Sequence, residues 1–131
     1  MPRKFRKKPR ILWRPLVKMF EKQLLVESER YWRERLSEKT LHDEEVEFCL
    51  PDEFTLIAAI IGQAFEDSRA TTAKWNQGLP TPADKADAIA FMADDRIGVY
   101  ADMLGIPVAR VRELAALVVG HAEAGDIKLA A

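Results

Sequence analysis

Apolar residues recur at spacings of three and four along most of this chain, the repeat of helices that each bury one face. Val17, Phe20, Leu24 and Tyr31 fall on one stripe, and Leu25, Trp32 and Leu36 on its neighbour. They predict a helix over residues 16–38, with Glu29 and Arg33 as a favourable (i, i+4) pair. Residues 40–47 read as an acidic loop. Val46, Phe48 and Leu50 then alternate with Glu47 and Cys49, the period of a short strand. Pro51, Asp52 and Glu53 suit a helix start, and Phe54, Ile57, Ala58, Ile61, Ala64 and Phe65 follow at helical spacing. Leu56 and Ile60 lie off that stripe, so the pattern predicts a central, well-buried helix reaching residue 74.

Residues 76–82, Asn-Gln-Gly-Leu-Pro-Thr-Pro, read as a loop, after which Asp84 is the expected N-cap of a helix ending near Asp94. Two shorter helices, over 96–104 and 107–123, complete the pattern, and Ile127 and Leu129 suit an edge strand. The expected fold is all-α with one or two very short strands at most. A basic extended arm, residues 1–15, precedes a single helical domain over 16–131, because Pro2, Pro9 and Pro15 interrupt any regular helix across the arm.

Charge changes the picture more than composition does. With 131 residues, 48% hydrophobic and 31% charged, the chain has the makeup of one globular domain rather than of a disordered segment. The net charge of −1 conceals a separation. Residues 1–18 hold eight basic side chains and no acidic one, residues 19–53 have a net charge of −6, and residues 54–131 one of −3. A single cysteine, Cys49, excludes an internal disulfide and fits a reducing cytoplasm, and its apolar surroundings suggest a small buried side chain. The basic start lacks the apolar run of a signal peptide, and the longest apolar stretch, residues 54–65, is too short to span a bilayer. No membrane association is expected.

The most specific constellation runs from Tyr100 to Leu114. Ala101 permits close approach of two helices, and Gly105 suits a left-handed backbone that ends the first of them. Leu104 and Ile106 are apolar anchors at the turn, Pro107 has the fixed φ of a helix start, and Val111 and Leu114 face back into the core. A small residue, a glycine four positions on and an aliphatic six further on resemble the helix-turn-helix of DNA-binding proteins, over about residues 96–120. More broadly the chain resembles small phage and prophage regulators in which an alanine-rich helix precedes a Leu-Gly-Ile turn.

The resemblance implies that the second helix enters a major groove. Val108, Ala109, Arg110 and Arg112 are then the candidate base contacts, with Arg112 able to reach a guanine edge and the two apolar residues a thymine methyl. The face lacks the Asn, Gln and Ser that such helices carry. Phosphate contact falls to the arm, through Arg3, Lys4, Arg6, Lys7, Lys8, Arg10 and Arg14. The same arm also has the composition of a solvated tail, of a clamp onto an acidic body or another subunit, or of a segment drawn to an anionic membrane surface.

Other chemistry is thin. His42, Asp43, Glu44 and Glu45 have metal-compatible side chains, but consecutive positions diverge, so they read as a solvated charge run. Asp84, Asp87, Asp94 and Asp95 read as helix-end charges. Trp32 and Tyr31 sit at core spacing, whereas Trp13, between Arg10 and Arg14, is a candidate for partner contact. No nucleophile, phosphate-loop or metalloprotease pattern occurs, so neither catalysis, a cofactor nor a metal is expected. The expectation is a double-stranded-DNA-binding regulator, commonly a homodimer, paired through the long helix over 16–38. The rival is a helical protein-interaction module, an adaptor or inhibitor, using an apolar face of Val108, Ala109, Ala115 and Ala116.

Overall fold

A computed structural model describes residues 13–39, 49–70 and 80–123, and these form five α-helices with no strand among the described residues. The arm residues 1–12, the acidic run 42–45 and the candidate edge strand at 127–129 lie outside them, as do positions 46–48 of the other candidate strand. Cys49 and Leu50 have no regular structure, and Cys49 is exposed rather than buried.

Helix α1 (Trp13–Lys39) starts three residues before the expected position and takes in Pro15. Proline is tolerated in a first helical turn, where its missing N–H has no partner to lose. The early start is held by Trp13, whose ring meets Phe65 edge-on at 5.9 Å while the Arg69 guanidinium lies 6.0 Å from its centroid. The residue singled out for partner contact is thus half-buried against its own fold.

Helix α2 (Asp52–Arg69) runs antiparallel to α1: Trp13 meets Phe65, Glu21 lies against Gly62, and Trp32 meets Phe54. A Cβ at Gly62 would sit 2.5 Å from the Glu21 Cγ, so the two helices cross closely there. The helix stops at Arg69, short of residue 74. In its last turn the Ser68 hydroxyl donates to the Phe65 carbonyl at 2.6 Å, a local bond that competes with helix continuation. Its buried face is Ala58, Ile61, Gly62 and Phe65, while Leu56 and Ile60 are exposed, so α2 is half-covered rather than enclosed.

Helix α3 (Pro82–Ala93) is capped by Thr81 and not by Asp84. The Asp84 amide donates to the Thr81 hydroxyl, and the Thr81 amide to the Asp84 carboxylate, both at 3.1 Å. Pro82 at the first helical position, with its φ already helical, sets the start three residues earlier than a cap at Asp84 would.

Helices α4 (Arg96–Leu104) and α5 (Val108–Glu123) flank Gly105, whose φ is +77°. The Ile106 amide donates to the Ala101 carbonyl and the Gly105 amide to the Asp102 carbonyl, both at 3.0 Å, which is the Schellman arrangement, and Ile106 closes it by burying its side chain. The core beneath joins Phe20 and Leu24 of α1, Ile61 and Phe65 of α2, Ile97 and Leu104 of α4 and Val111 of α5.

Gly105 meets two demands at once, since a Cβ there would overlap the Tyr31 ring as well as force a side chain into left-handed backbone. Gly98, inside α4, faces open space. We expect Gly105→Ala to destabilise the fold by about 2–4 kcal/mol and Gly98→Ala to stabilise it by about 0.5–1 kcal/mol, measured by urea denaturation. Equal effects at the two positions would contradict this account.

Candidate nucleic-acid interface

The α4–α5 pair is built around small and apolar side chains. Ala101, Leu104 and Val111 are fully buried, Ile106 and Leu114 nearly so, and Ser28 of α1, itself buried, donates its hydroxyl to the Leu104 carbonyl at 2.6 Å. Leu104 ends α4, so this bond satisfies one of the carbonyls that a helix terminus leaves without an internal partner. With the Tyr31 ring against Gly105, it anchors the turn on the middle of α1.

The four candidate base contacts occupy four different environments. Ala109 is exposed, and Val108 is half-buried against the core. Arg110 turns toward α1, where its Nε donates to both carboxylate oxygens of Glu27 at 2.8 and 3.1 Å, and its Nη1 is paired with Glu113. Glu27 is largely covered, with 16% of its side chain exposed. The hydrogen bond from Arg110 holds its carboxyl below the usual glutamate range, and that bond together with the nearby carboxylates raises the Arg110 guanidinium.

Arg112 points the other way, across to α3. Its Nε donates to the Met92 carbonyl and its Nη2 to those of Ala93 and Asp94, all at 3.1 Å. These belong to the C-terminal end of α3, where carbonyls lack helical partners and the backbone dipole favours a cation. Both arginines therefore bind parts of the fold. The outward strip of α5 is left with Ala109, Glu113, Ala116, Leu117 and Gly120, and Leu117 is 50% exposed. Ala115, grouped with the apolar outer face in the sequence, is instead buried.

Of the arm cations only Arg14 is described. It lies in the first turn of α1 and its Nη1 contacts a Glu66 carboxylate oxygen at 3.0 Å, with 68% of its own side chain exposed. The helix-end acids behave as charges on termini: Asp94 accepts from the Arg96 amide, and the Arg96 guanidinium spans Asp94 and Asp87. Tyr31 and Trp32 are half-buried and stack edge-on, and the indole N–H of Trp32 meets no acceptor among the described residues. Among those residues no group of histidine, cysteine and acidic side chains could hold a metal ion, and no helix is long and apolar enough to cross a membrane.

Glu27 and Ser28 are the residues that sequence reasoning missed. Their partners lie 83 and 76 positions away, beyond the reach of any periodicity. No protein-family model, no curated protein and no solved structure matches the chain.

Because the folded-state acidity of Glu27 is lowered, its contribution to stability is complete above the ordinary value of 4.5 and fades as pH falls through the lower folded value. Glu27→Gln should therefore lower the melting temperature at pH 7, and the gap from the wild type should close as the solution is taken below pH 4.5. A gap that stays constant through acid titration would remove the ion pair from this account.

Proposed function

We propose that the protein binds double-stranded DNA chiefly through phosphate contacts, with its cationic N-terminal segment supplying the affinity and the exposed strip of α5 resting against the duplex. The observation that carries this reading is the α4–Gly105–α5 arrangement. A close helix crossing, a left-handed glycine and buried anchors leave the outer side of α5 uncovered, as a helix-turn-helix requires. The engagement of Arg110 and Arg112 within the fold favours architectural binding over base readout, since direct readout draws on free bidentate donors.

A second reading rests on the strip itself. Ala109, Ala116 and Leu117 expose small and apolar surface suited to packing against another helix, and that favours a protein partner, a second copy included. Salt separates the two readings, because counterion release makes duplex affinity fall steeply with ionic strength while apolar packing is nearly indifferent to it.

In mobility-shift titrations we expect unrelated duplexes to compete equally. Deleting residues 2–10, which carry six cations, should flatten the slope of log affinity against log salt by up to about 5. Arg112→Ala should shift duplex affinity less than about threefold, because phosphates rather than base edges carry the binding. A strong preference for one sequence that Arg112→Ala abolishes would restore base readout, and absence of duplex binding at low salt would favour the protein partner.

A further inference from the structure

Helices α2 and α3 enclose a surface groove of about 530 Å3. Its floor includes Ile60, Ala64 and Phe91, and three carboxylates, Asp67, Asp84 and Asp87, stand around it. We propose that this groove is a docking site for the chain's own N-terminal segment, residues 1–12, which would lay its cations against the acidic rim and Phe5 on the apolar floor.

Three observations select this occupant. The first is charge: residues 1–12 carry Arg3, Lys4, Arg6, Lys7, Lys8 and Arg10 with no acid, the complement of a rim of three aspartates. Asp84 is held below its usual range by its bonds to Thr81, and Asp87 is 72% exposed although it shares Arg96 with Asp94. The second is attachment. Trp13 packs on Phe65 and Arg14 pairs with Glu66, so the segment joins the fold beside Asp67, the next residue along α2. The third is reach: twelve residues can extend about 40 Å, whereas the twelve-residue α3 is about 18 Å long.

The pattern Arg3-Lys4-Phe5-Arg6-Lys7-Lys8 sets one aromatic ring among five cations, matching a groove lined by Ile60, Ala64 and Phe91 and edged by aspartates. Such an attraction is screened by salt, so the docked form belongs to low and moderate ionic strength. The inference does not rest on duplex binding and is tested without DNA.

The test uses the full chain carrying Cys49→Ser and Lys4→Cys, with a nitroxide on the new thiol and the amide signals of an 15N-labelled sample as readout. Docking predicts selective broadening at Ile60, Asp67 and Ala88 at low salt. The broadening should survive dilution with excess unlabelled, nitroxide-free chain, and should disappear both in Asp67→Lys/Asp87→Lys and at about 0.5 M salt. The salt arm keeps the unaltered groove, so it reads the attraction even where the double variant disturbs α3. Broadening that appears only between different molecules would give the groove to a second copy. Broadening spread evenly over the surface, or none, would leave it to a separate partner, and either result overturns the proposal.

Discussion

The position of α5 depends on one small contact, the seat of the α4–α5 turn on the middle of α1. The Tyr31 ring occupies the space that a Cβ at position 105 would need, and one helical turn earlier the buried Ser28 hydroxyl holds the Leu104 carbonyl. A hydroxyl removed from water costs stability unless it finds a partner, and a helix-terminal carbonyl has the same requirement. Each satisfies the other, and the pair fixes where along α1 the turn lies. The bond from Arg110 to Glu27, one residue before Ser28, is available only because that register is set.

From the same seat the rest of the packing follows. The antiparallel α1–α2 pair supplies Phe20, Leu24, Ile61 and Phe65, and α4 and α5 add Ile97, Leu104 and Val111 to one continuous core. Aromatic contacts bracket that core, with Phe65 meeting Trp13 and Phe20 near the start of α1, and Trp32 meeting Tyr31 and Phe54 beyond its midpoint. Ridge-like apolar stripes on two helices explain why a single-sided pattern was enough to order five elements.

The helical architecture was legible because periodicity and punctuation are local. Proline at 51, 82 and 107 and glycine at 105 mark helix boundaries through their own backbone preferences, and those boundaries stand within a few residues of the observed ones. Three expectations failed for separate reasons. Asp84 had the chemistry of a cap, but Thr81 with Pro82 had the better geometry. Leu56 and Ile60 are as apolar as their buried neighbours, and only the placement of α1, α3 and α4 decides which side of α2 is covered. Cys49 sat in an alternating apolar run that suggested burial, yet it is exposed. The partners of Arg110 and Arg112 were beyond sequence reasoning because a guanidinium is read as a free donor until the carboxylate or carbonyl opposite it is located.

Those two arginines are committed to contacts within the fold. Re-aiming Arg110 at a base would strand a largely covered carboxylate on Glu27, and an ionised group left without its partner is far costlier than the pair was favourable. Re-aiming Arg112 would expose less, since the three carbonyls at the end of α3 can accept from water, but it would release the link that ties α3 to α5. Base readout through either would therefore be subtracted from stability. Under the proposed duplex binding, the cations of residues 1–12 would add attraction for phosphate without any such subtraction, because Arg110 and Arg112 would keep their partners within the fold.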